Sequence, residues 1–164
     1  MDLPARYLSI FPDLPIREVS YGCGGLRLFS ADEVEAEQVG YSISPDGRSL
    51  CGDTPGEWRS SWVVIGSETG LGDPILIDTT DPPLIVFTAI HGEGSWEPTA
   101  IAISIEAFAN IYNEFVRISK GRSNPVELED NPLSEGERES YLNRIDKLNN
   151  GQLDSEFWDA MLEY

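Results

Sequence analysis

The 164-residue chain reads as an α+β domain: a central, mainly antiparallel sheet flanked by helices, with two further helices at the C-terminal end. Three observations predict it. Four short runs of β-branched and aliphatic residues crowd the middle of the chain, at 62–65, 74–78, 84–90 and 99–104, each bounded by Gly, Pro or Asp. The connections between them are about 6–10 residues long without helical periodicity, too short for parallel crossovers and suited to a meander. Helical spacing of apolar residues then appears before and after this block.

Taken in order, Tyr7, Leu8 and Phe11 stand at helical spacing behind Pro4, so a short first helix is expected, stopped by Pro12 and Pro15. The glycines around Cys23 lead into a strand at 26–29, and Ser30 with Glu33 forms a capping box for a helix from Ala31 whose outer face carries Glu33, Glu35 and Glu37. Residues 42–61 are rich in Gly, Pro, Asp and Ser and read as a loop or loose hairpin, with a turn at Pro45-Asp46-Gly47. Residues 84–87 are apolar on both faces, which predicts a central strand covered on each side. Gly66, Gly70 and Gly72 are expected to close a hairpin.

Ser104 can cap a helix in which Ile105, Phe108, Ile111, Tyr112, Phe115 and Ile118 recur every three or four residues, a face that must lie on the sheet. Residues 121–133 read as a polar connection. Ser134 and Glu137 make a second capping box, Tyr141, Leu142, Ile145 and Leu148 the stripe behind it, and Asn150-Gly151 a left-handed stop. Phe157, Trp158, Met161 and Leu162 share one face of a last helix. The organisation is one domain over 1–164: a core at 1–120, the connection at 121–133 and a helical extension at 134–164. At this length an apolar core suffices without staples.

Charge narrows function more than motif does. The 29 acids against 11 Lys and Arg give a net charge of −18, which repels phosphate backbones and anionic lipid and attracts and orients cationic partners. Neither nucleic acid nor a membrane is an expected partner. From residue 60 to 116 there is no Lys or Arg, while Glu68, Asp73, Asp78, Asp81, Glu93, Glu97, Glu106 and Glu114 all fall there. Cys23 and Cys51 lack C-x-x-C spacing and the density of a disulfide scaffold, so reduced thiols are expected. With an acid at position 2 and no long apolar run, the chain reads as cytoplasmic.

The search for a reaction centre yields little. The glycine-rich 66–73 segment lacks the Lys-Ser/Thr of a P-loop and the third glycine of a dinucleotide fingerprint, and reads as a turn. His91 is the sole histidine, which removes every two-histidine metal site. It lies near Glu93 and Ser95, but no G-x-S-x-G elbow accompanies it, so a hydrolase built on these residues is disfavoured. The pairs Asp78 with Asp81 and Glu93 with Glu97 match no EF-hand pattern and read as solvated acids. No catalytic residue, metal or cofactor is expected. Trp62 and Trp158 read as core, whereas Trp58 and Trp96, in polar loops near acids, are candidate exposed anchors for a partner.

One resemblance joins these segments. Leu3-Pro4-x-x-Tyr7, then Leu26-Arg27-Leu28-Phe29-Ser30 before an acidic helix, then the runs WVVIGSETGLGDPILID, LIVFTAIHGEGSWEPTAIAIS and SIEAFANIY, resemble in order and spacing the core of the SUKH superfamily, in its Smi/Knr cell-wall-regulator branch. The likeness covers roughly residues 3–118. It implies a single α+β interaction domain without established catalytic residues. Bacterial members act mainly as immunity proteins that neutralise toxins of contact-dependent and polymorphic systems. The resulting expectation is a toxin-immunity protein for a basic toxin such as a nuclease, bound through the sheet edge and its loops at Glu68, Asp73, Glu93, Trp96 and Glu97. The alternative is a non-catalytic regulatory scaffold or ligand-binding module related to cell-wall synthesis regulators.

Overall fold

The computed structural model describes residues 3–11, 14 and 16–163; Pro12 and Pro15, expected to end the first helix, lie outside them. Its centre is a six-stranded antiparallel meander in sequential order: β1 (Glu18–Tyr21), β2 (Gly24–Leu28), β3 (Trp62–Glu68), β4 (Pro74–Asp78), β5 (Val86–Thr88) and β6 (Thr99–Ala102). Every neighbouring pair is antiparallel, as short connections require. The α+β reading therefore holds, including the helices at the C-terminal end.

Three strand expectations are corrected. β1 is an additional strand, and the glycines at 22, 24 and 25 serve the β1–β2 hairpin rather than leading into a lone strand. Gly66 belongs to β3, not to the turn: a β-bulge lies between Val64 and Gly66, and a Cβ at Gly66 would come within 2.5 Å of the Arg27 carbonyl oxygen of β2. The 84–90 run is not central. Only Val86–Thr88 pairs, as the fifth strand, because Leu84 turns through a positive φ of 52°. The strands with the most continuous burial are β3 and β4.

Helix α1 (Ala5–Ile10) buries Tyr7 and sends Leu8 outward, contrary to the expected three-residue stripe. The capping box at Ser30 opens only one turn, α2 (Ala31–Val34), where Glu33 accepts from the Ser30 N–H; a 3₁₀ turn at Ala36–Gln38 follows. Helix α3 (Ile105–Ser119), capped by Ser104 Oγ on the Ala107 N–H, buries the whole predicted apolar face.

The presumed connection contains a helix, α4 (Pro125–Asp130), with Asn124 as N-cap and Pro125 in its first turn. Helices α5 (Glu135–Leu148) and α6 (Glu156–Ala160) complete the chain. Arg122, buried behind α3, donates to the carbonyls of Ile118 and Asn131 and reaches Glu137 at 3.3 Å, joining the ends of three helices with its charge satisfied. Asn150 and Gly151 end α5 with positive φ, as expected.

The outer edge of β6 is closed by side chains of this extension. Asn149 Oδ1 accepts from the Ile103 N–H, and Trp158 Nε1 donates to the Ile101 carbonyl at 2.9 Å. An exposed row of strand donors and acceptors invites pairing with other chains, and these two residues blunt it.

Candidate protein-binding surface

At one end of the sheet the β3–β4 turn and the loop between β5 and β6 are joined through a single carboxylate. Asp73 Oδ1 accepts from the backbone N–H of His91 at 3.0 Å and faces His91 Nδ1 at 2.8 Å. A carboxylate only accepts, so this contact places the ring proton on Nδ1. The acid partner of His91 is therefore Asp73, 18 residues away, and not Glu93 of its own loop. The loop is held a second time where the Trp96 N–H donates to the Gly56 carbonyl at 2.8 Å. Glu93, between these two ties, and Glu97, one residue past the second, remain exposed.

The polar 42–61 segment is built around tryptophan. Ser44 and Asp46 close its turn with the Arg48 backbone, and Gly52 N–H donates to the Trp58 carbonyl. The anchor expected at Trp58 is overturned. Trp58 is 1% exposed, donates through Nε1 to the Trp62 carbonyl and packs edge-on against both Trp62 and Trp96. Rings of Tyr41, Trp62 and Trp96, from outside the segment, surround it and join the indole to the hydrophobic core. Trp96 is half-buried against Tyr41 and Trp58, leaving part of the indole at the surface. Trp62 and Trp158 are core, as expected.

Glu68 also differs from a free surface charge. At 9% exposure its carboxylate turns back on its own hairpin and accepts the N–H groups of Gly70 and Leu71. The turn's two free donors are thus occupied by an internal anion, which explains in physical terms why this glycine-rich segment is a turn and offers no phosphate cradle. Of the five expected contact residues, Asp73, Glu93, Trp96 and Glu97 lie half-buried or exposed on the β3–β4 turn and the β5–β6 loop at this end, whereas Glu68 is a structural acceptor within its own turn.

Asp78 and Asp81 share a turn in which the Asp81 N–H donates to the Asp78 carbonyl. Burial raises the Asp78 pKa, and hydrogen bonds from the Thr80 hydroxyl and N–H, with others from Ser61 and Trp62, outweigh it and hold the group below its ordinary value. Among the described residues no group of three or more His, Cys, Asp or Glu is placed to hold a metal ion. The two cysteines are free, Cys23 exposed and Cys51 half-buried.

Positive charge on this chain is largely answered internally. Arg6 pairs with Glu106, Arg27 with Glu33 and Glu37, Arg117 and Arg144 with Glu114, and Arg138 with Asp159 and Glu163. Glu93 and Glu97 instead lie, exposed, in a stretch of sequence without Lys or Arg. Among the described residues no helix is long and apolar enough to cross a membrane. Compared with protein-family models, with curated proteins and with solved structures, the chain matches none.

Proposed function

We propose that this chain is an immunity protein that binds and neutralises a basic protein toxin, for which a nuclease is the leading chemical class. The observation that carries the reading is the twice-tied loop between β5 and β6, which presents Glu93, Glu97 and the exposed part of Trp96 in one fixed arrangement. Fixing these groups before contact lowers the ordering cost of binding. The chain's net charge of −18 favours encounter with a cationic partner. A half-buried indole with exposed Glu97 beside it and exposed Glu93 three residues before it in the chain has the composition of an anchor with charged neighbours. The sequence resemblance to the SUKH superfamily supports the same role.

The test is co-expression with the protein encoded by the reading frame beside its own. Restored growth of cells poisoned by that protein, with recovery of a stoichiometric complex, is the expected result. Poisoned cells that gain nothing from the chain would overturn the reading.

A further inference from the structure

Beside the tied loops lies a pocket of about 310 Å³, at the small end of the range of about 300–1,000 Å³ found for ligand sites. Its floor is Gly24 of β2, where a Cβ would stand 3.7 Å from the Met161 methyl carbon and 3.4 Å from Glu68 Oε1. Its walls are apolar, from Leu71 of the β3–β4 turn and Phe157 and Met161 around α6. Three carboxylates, of Glu68, Asp73 and Glu163, complete its lining, Glu68 close to the floor. Leu71, at 76% exposure, and Ile90, at 60%, are the large apolar side chains left uncovered on the two tied loops.

None of the three carboxylates has its acceptor capacity exhausted. Glu68 receives two backbone N–H groups and Asp73 the His91 N–H and ring, while Glu163 meets Arg138 at a distant 3.7 Å. Arg138 itself is committed to Asp159 at 2.7 Å. A pocket lined by both apolar side chains and carboxylates matches one side chain above others: a long aliphatic stem carrying a planar, weakly hydrated cation that packs on an aromatic face and binds carboxylates in a fork.

We propose that this pocket receives an arginine side chain of the partner protein, with the guanidinium at Glu68, Asp73 and Glu163 and a neighbouring apolar residue of the partner on Leu71. This deepens the immunity reading and rests on it for the partner's identity, but it is testable alone. The probe is a short peptide capped at both ends with arginine between two leucines, titrated against the full chain while the Met161 methyl and Gly24 amide are followed by NMR. A control peptide carries citrulline, which keeps the shape and removes the charge.

Saturable shifts at both positions are expected, with the citrulline peptide weaker by at least about tenfold. Gly24→Val, which fills the floor without altering charge, should abolish the response. Glu163→Gln and Leu71→Ala, both at exposed positions, should each weaken it and remain informative if Gly24→Val misfolds. Equal binding of the citrulline peptide, absence of saturation, or shifts confined to other parts of the molecule would overturn the pocket. A chain that protects cells yet ignores the peptide refutes the pocket alone. A chain that takes the peptide here yet protects no cell refutes the immunity role alone.

Discussion

Gln38 and Val64 are paired as two β-strands would be: the Val64 N–H donates to Gln38 Oε1 at 3.0 Å and Gln38 Nε2 donates to the Val64 carbonyl at 2.9 Å. The same Nε2 reaches the Val34 carbonyl at 2.7 Å. β2 pairs with β3 only from Gly66 to Glu68, so the Gln38 side chain supplies the missing partner where β2 has ended. Replacing it by Ala strands both Val64 groups, at about 1–3 kcal/mol for each. Urea unfolding of Gln38→Ala should therefore show a loss of about 2–6 kcal/mol. A loss within experimental error would show that water satisfies this site.

Gly66 is constrained by its neighbour rather than by its own dihedral angles. The nearest atom to an added Cβ is the Arg27 carbonyl oxygen of the β2 backbone at 2.5 Å, followed by the Leu28 side-chain Cδ2 at 2.9 Å and the Leu28 Cα at 3.2 Å. Gly66→Ala must therefore move a strand, and overpacking of this kind costs about 1–3 kcal/mol or more. Thermal unfolding should register a clear drop, whereas Gly136→Ala on α5, where an added Cβ meets nothing within 4 Å, should be neutral or stabilising.

Asp73 ties the β5–β6 loop through the main chain as well as through the His91 ring. Asp73→Ala should consequently speed hydrogen exchange at the His91 amide, while His91→Ala leaves that amide protected. The opposite ranking would assign the tie to the imidazole.

Stability should fall at both extremes of pH for separate reasons. The Ser134 hydroxyl and N–H, with help from Arg122, hold the Glu137 carboxyl at about 2, below its ordinary 4.5. A depressed folded-state value means stabilisation that is complete above about 4.5 and lost as pH falls toward 2. Glu137→Gln should flatten the acid limb of a stability–pH curve.

At the other extreme, burial pushes the Tyr7 hydroxyl up to about 12, and burial also raises Tyr112 and Tyr141. A raised value gives stability that is complete below about 10, where the unfolded tyrosine titrates, and is lost as pH climbs to the folded value. Among the described residues the Tyr7 hydroxyl has no hydrogen-bond partner, so Tyr7→Phe should flatten the alkaline limb at little cost near neutrality. A variant with an unchanged alkaline limb would remove Tyr7 from this account.

The meander and α3 are readable in the sequence because local pattern and tertiary burial agree there: the stripe from Ile105 to Ile118 has one way to be buried. Where they disagree, reading fails. Trp58 sits among Gly, Pro and Glu, a composition of exposed loops, and its burial comes from Tyr41, Trp62 and Trp96, which no short window contains. β1 is four residues long, so its alternation carries almost no weight. The Asn124-Pro125 start of α4 was a usable signal, masked by the polarity of the stretch around it. Gln38 and Asn149 resemble surface amides in sequence, and only the sheet edges they close reveal them. The acidic end of the molecule was legible as charge, but the Asp73–His91 tie that shapes it joins residues too far apart in the chain for spacing to disclose.

The account stands on a negatively charged surface that draws in a cationic protein before contact. Its most direct test is the association rate of this chain with the partner that the proposed immunity role requires, purified from the neighbouring reading frame, measured by stopped flow at increasing salt for the native chain and for Glu93→Lys/Glu97→Lys. Steering by exposed charge predicts a rate that drops steeply as the Debye length shrinks below about 10 Å, and a charge-reversed variant that is slower and less salt-sensitive. A native rate indifferent to salt and equal to that of the variant would contradict it.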